Sequence, residues 1–171
     1  VLSRLGVLQK DNEDGLVTQE LENIRDLVIN GQYAKAIELT RNHFRKGGTS
    51  TEVALQGILA SRGASKFEDL LYFIDRRVKN ADNMQEVEEL YREAGRVARD
   101  NLADPERAVK YMYRAHQVSP KDIELQIEVA DLYTKVPHLH THAQIGLEQL
   151  SRQIPDDHRL YMISSRLAES A

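Results

Sequence analysis

The stretch His138-Leu139-His140-Thr141-His142 is the densest collection of potential metal ligands in the chain. In an extended segment alternate imidazoles share one side, and in a helix His138 and His142 stand one turn apart. Neutral imidazoles in either array suit Zn, Ni or Cu. No carboxylate adjoins the stretch, although Glu128 and Asp131 could approach it, and it falls at a break between two helical patterns. Polar residues collect at such breaks without any function. The expectation is therefore a turn with no resident metal and no cofactor, His138, His140 and His142 being kept only as a candidate set. A second set is Arg92, Arg96 and Arg99, four and three residues apart on one stripe of a helix. The planar guanidinium fork suits bidentate carboxylate recognition. Glu88, Glu89 and Glu93 are interleaved, so ordinary ion pairs along a solvated helix face are the competing reading.

Catalytic motifs do not emerge. Gly47-Gly48 lacks the Lys-Ser/Thr that completes a phosphate loop. There is no serine elbow and no His-Glu-x-x-His. The pairs Glu88-Glu89 and Asp156-Asp157 lie at helix starts, where acidic groups are favourable dipole partners, and general acid–base work needs an enclosed pocket. The chain is expected not to be an enzyme.

The elements that carry these residues are helices. Only nine Gly and four Pro punctuate 171 residues, too few turns for an all-β sandwich. Between them run segments rich in Leu, Glu, Ala, Arg and Lys, which favour helix. Apolar residues at 41 % and charged residues at 29 % are the balance of a folded chain rather than a disordered one. The net charge of −4 gives no overall basic field, so nucleic acid is not an expected partner. The absence of cysteine removes disulfides and thiolate chemistry and leaves the compartment open, cytoplasmic ranking ahead of periplasmic. No run approaches the roughly 18 apolar residues of a membrane span, so insertion is not expected. The opening Val1-Leu2-Ser3-Arg4-Leu5-Gly6 has neither an initiator Met nor a signal-peptide layout. Leu2, Leu5 and Leu8 are instead expected to be the remnant of a helix from a longer array.

The clearest pattern begins at Glu86. Val87, Leu90, Tyr91, Ala94, Val97 and Ala98 form one helical face, and the run from Asp100 to Pro105 breaks it. Asp104 suits an N-cap with Pro105 at the first helical position. Ala108, Val109, Met112, Tyr113, Ala115 and Val118 make a second stripe that stops at Ser119-Pro120. The next segment repeats this grammar, with Thr141 and Gln144 set out as a capping box. Ala108, Met112, Ala115 and Pro120 have the same spacing as Ala143, Leu147, Leu150 and Pro155. Ala36, Thr40, His43 and Gly48 repeat it near the start, and Leu70, Ile74, Arg77 and Asp82 give a degenerate version. The leading residues are 34, 38 and 35 positions apart.

This period resembles that of the tetratricopeptide repeat (TPR) family, a 34-residue helix–turn–helix with a small Ala in its second helix and a closing Pro. Gly31-Gln32-Tyr33-Ala34-Lys35-Ala36 resembles the family's inter-helix turn, and Asp104 to Ala108 a longer variant of it. Ala94-Gly95 with Ala98, and Val129-Ala130 with Tyr133, resemble the small-residue centre of the first helix. Trp is absent, and Thr40, His43 and Arg77 depart from the family pattern. The resemblance implies an all-α, right-handed superhelical stack of antiparallel helix hairpins, a TPR-like α-solenoid. It divides the chain into a remnant helix and linker at 1–16, repeats at 17–48, 50–82 (degenerate), 84–120 and 121–155, and a terminal capping helix or truncated repeat at 156–171.

The function it implies is a non-catalytic protein–protein interaction scaffold that holds a peptide or helical segment in a concave groove. An accessory repeat domain of a larger enzyme or of a secretion or assembly machine is the alternative, and an RNA-binding helical repeat ranks last. First helices line the groove in this family. The resemblance therefore names Val53, Gly57, Arg92, Arg96, Arg99, Ile127 and Asp131 as groove candidates. It points to another protein or peptide with an acidic stretch as the partner.

Overall fold

The structure, a computed structural model, describes residues 17–170, which form helices joined by turns and short loops, with no strand among them. The expectation of a remnant helix bearing Leu2, Leu5 and Leu8 lies outside the described residues. The chain forms two compact units, divided between Asn80 and Ala81.

In the first unit α1 occupies residues 17–29, followed by α2 (Tyr33–Arg45), α3 (Thr51–Gly63) and α4 (Phe67–Arg77) with a short 3₁₀ turn, Val78–Asn80. The turn after α1 works as its residues predict. Gly31 adopts φ +70°, and the amides of Gly31 and Gln32 donate back to Val28 and Leu27 carbonyls at 3.1 and 2.8 Å. A left-handed glycine of this kind closes the end of a helix at little steric cost. Tyr33 then lays its ring against Gly63 at the end of α3, where any Cβ would collide with it. Ser50 caps α3 by accepting from the Val53 amide at 3.3 Å. The unit closes around Ile24, Ile58, Phe73 and Ile74, each fully buried.

The second unit holds α5 (Met84–Asp100), α6 (Pro105–Val118), α7 (Ile123–Tyr133), α8 (His140–Gln153) and α9 (His158–Glu169). Asp104 accepts from the Arg107 amide at 2.9 Å, with Pro105 in the first turn of α6, as the sequence suggests. Asp122 and Asp157 cap α7 and α9 in the same way. Each helix packs on the next in the chain, and α9 also touches α7. α7, α8 and α9 share a core of Ile127, Ala130, Leu147, Leu150, Leu160 and Ile163.

One cap differs from expectation. A 3₁₀ turn, Pro137–Leu139, leads into α8, which starts at His140 with no side-chain cap. Thr141 is therefore inside the helix, and Gln144 reaches forward to Glu148 rather than back. The capping box does not form.

Close approach of helices is visible at the small residues. Ala36, Ala94, Ala98, Ala108 and Ala143 have no exposed surface. At Gly57 an added Cβ would lie 2.7 Å from the Phe73 ring and 2.8 Å from Thr40 Cγ2, whereas at Gly146 the nearest atom, Ala130 Cβ, is 3.8 Å away. Two substitutions of the same kind should then have opposite signs. Gly57→Ala is expected to destabilise by about 1–3 kcal/mol through overpacking. Gly146→Ala is expected to stabilise by about 0.5–1 kcal/mol through helix propensity. Denaturant midpoints of the two variants check this; a stabilised Gly57→Ala would contradict the close contact.

Candidate partner-binding cleft

The seven groove candidates separate into three groups. Val53 has no exposed surface, and Gly57 is buried against Phe73 and Thr40. Neither can touch a ligand in this structure, a correction with a simple cause. A small residue in a first helix marks where a neighbouring helix comes closest, so its surface is already covered.

Arg92 and Arg96 line a cleft of about 650 Å³ along α5, together with Glu88, Glu89, Glu93 and Asp100. Their guanidinium groups are already engaged. Arg92 Nε pairs with Glu88 at 2.8 Å, and its Nη2 donates to Asp122, the residue that caps α7. Arg96 Nη2 donates to Glu128 of α7 at 2.8 Å. The stripe thus binds the next first helix as well as its own, and the cleft wall carries more acid than free base.

Arg99, Ile127 and Asp131 come together. They line one cleft of about 340 Å³ shared by α5, α7 and α9, with Glu128, Arg159, Met162, Ile163 and Arg166 completing it. Ile127 and Ile163 form an apolar floor, 6 % and 3 % exposed, while Met162 stands 60 % exposed at the rim. Asp131 is held by Lys135 at 3.2 Å and by Arg166 of α9 at 2.7 Å. Arg99 grips its neighbour Asp100 through two bonds of 2.6 and 2.7 Å, which raises the guanidinium pKa and lowers that of the carboxyl. Glu128 Oε2 is shielded from solvent and has no hydrogen-bond partner among the described residues. Met162 and Arg166 escaped the sequence reading because α9 has no second helix to complete a repeat; their spacing of four on one stripe was the available signal.

The histidines do not converge. His140 Nε2 lies 3.0 Å from the Thr134 carbonyl, and His142 packs edge-on to Tyr133 with ring centroids 5.9 Å apart. His138 is exposed. Among the described residues no three His, Asp or Glu side chains come together as metal ligands.

Comparison with known proteins gives a fold and no closer kinship. No protein-family model matches the sequence, and no curated protein matches it. The fold is that of the TPR-like helical repeats. A crystal structure from Podosopora anserina, of a chain assigned as a kinesin light chain with nearly identical TPR-like repeats, superposes with a TM-score of 0.51. Identity is 15 %, over 90 % of this chain and 84 % of the other. None of the described helices is long and apolar enough to cross a membrane.

The rim of the cleft has a measurable electrostatic mark. Arg159 binds Glu124 of α7 at 2.6 and 2.9 Å and also Asp157. The side-chain hydrogen bond from Arg159, then the Arg159 amide, hold the Asp157 carboxyl at about 2, below its ordinary 3.8. A depressed carboxyl stabilises the fold fully above the unfolded-state pKa, and that contribution fades as pH falls from about 4 towards 2. Carbon-13 NMR titration should place Asp157 near that value, and Arg159→Ala should move it up. An unshifted Asp157 in the wild-type chain would contradict the geometry.

Proposed function

We propose that this chain is a non-catalytic scaffold that holds a segment of another protein along the first helices of its second unit. Helical-repeat folds present extended concave surfaces for partners, which supports the reading in general. The observation that carries it here is the cleft itself. Three successive first helices contribute to it, with an apolar floor of Ile127 and Ile163 and an exposed Met162 at the rim. An apolar side chain of the partner seats on the floor beside Met162. Arg99, Ile127 and Asp131 are the groove candidates that fit this role. Arg92 and Arg96 form the adjoining wall, their charge answered by Glu88, Asp122 and Glu128.

A displayed library of random peptides, selected against the chain, tests the proposal. The selected peptides should lose at least about tenfold in affinity on Met162→Asp, equivalent to about 1.4 kcal/mol. Met162 is 60 % exposed, so the variant should keep its melting temperature. Peptides that bind Met162→Asp as tightly as the wild type would place the docking site elsewhere.

A further inference from the structure

The arginines of α5 are all engaged by carboxylates, but the first unit holds one that is not. Arg76, in the last turn of α4, sets its guanidinium 5.0 Å from the Tyr72 ring centroid and 5.5 Å from that of Phe44 in α2. No carboxylate among the described residues pairs with it. Tyr72 also receives Arg41 of α2 at 5.1 Å, and Arg41 in turn donates to Asp69. The rings brace each other, Phe44 and Tyr72 meeting edge-on at 6.3 Å. Arg45 follows one turn beyond Arg41 on the same stripe of α2, its side chain bonded only to Asn42 at 3.1 Å, and Lys46 lies exposed beside it.

This arrangement does two things. Cation–π contact with two rings holds the Arg76 guanidinium in place, and among the described residues no hydrogen bond takes up its N–H donors. A fork fixed in this way loses less entropy when it binds a carboxylate. Arg45 and Lys46 add positive charge at the C-terminal end of α2.

We infer that the α2–α4 edge around Arg76 is a docking surface for an acidic, Glu- or Asp-rich segment of a partner protein. It belongs to the first unit alone and uses none of the cleft residues described above. Single-stranded nucleic acid fits less well. Phe44 is 7 % exposed and the aromatic faces already carry guanidinium groups, so no ring is open for a base to stack on. What the edge offers is a set of charged donors, which carboxylates match.

Fluorescence anisotropy with a labelled oligoglutamate peptide tests this, beside a labelled oligouridine of equal length. The peptide should bind the wild-type chain at about 50 mM salt and weaken as salt rises to about 200 mM. Arg76→Gln should weaken binding about tenfold, as expected for one charge-assisted anchor. Because that change uncovers two rings, Arg45→Glu provides a second variant that leaves the rings in place, and it should weaken binding as well. Met162→Asp should bind the peptide as the wild type does. Four results would overturn the inference: no peptide binding at low salt, full binding by both arginine variants, tighter binding of oligouridine, or loss of the peptide in Met162→Asp.

Discussion

Close approach of neighbouring helices is the constraint on which the described part of this chain depends. Ala94, Ala98 and Ala108 are fully buried, and Ala130 is 2 % exposed. Gly95 leaves so little room that a Cβ would meet Met112 at 2.7 Å. Backbones brought this near allow longer side chains to interdigitate around the contact, which is how a hairpin with one apolar face buries it. The faces turned away from these contacts are the ones left to meet a partner. In the second unit such faces of α5, α7 and α9 line the cleft, whereas Val53 and Gly57 of the first unit are covered by their own neighbours.

Charge reinforces the same stacking. Arg92 and Arg96 reach from α5 to Asp122 and Glu128 on α7, and Arg159 and Arg166 reach from α9 to Glu124 and Asp131. In the second unit each first helix is thus linked to the next by two ion pairs. Where such a pair is half-buried it contributes more than a surface pair, and removing one partner strands the other. The consequence for function is selective. Cations along α5 serve the stack, while Arg76 lies against Phe44 and Tyr72 and pairs with no carboxylate among the described residues.

The fold was legible because its signals are local. The spacing shared by Ala108-Met112-Ala115 and Ala143-Leu147-Leu150 marks residues that are all buried, and Asp104-Pro105 starts a helix as expected. The cleft was only half legible. Arg99, Ile127 and Asp131 could be placed on first-helix faces, but the partners of Arg92 and Arg96 lie 30 and 32 residues away, beyond any helical period. The interleaving of Arg41, Phe44, Tyr72 and Arg76 is likewise absent from the linear order, since two helices build it. Val53 and Gly57 misled because a place on a first helix was taken to face the groove, whereas Val53 is fully buried and Gly57 lies against Phe73 and Thr40.

Arg92 and Arg96 of α5 are held by the neighbouring first helix. A double-mutant cycle on Arg92→Ala and Asp122→Asn, read by chemical denaturation, measures that hold. Asn preserves the cap of α7, so the cycle isolates the ion pair between neighbouring first helices. With Arg92 and Asp122 side chains 19 % and 32 % exposed, the coupling is expected to be about 1 kcal/mol or more. Additive effects, within about 0.3 kcal/mol, would mean that Arg92 is not tied to α7.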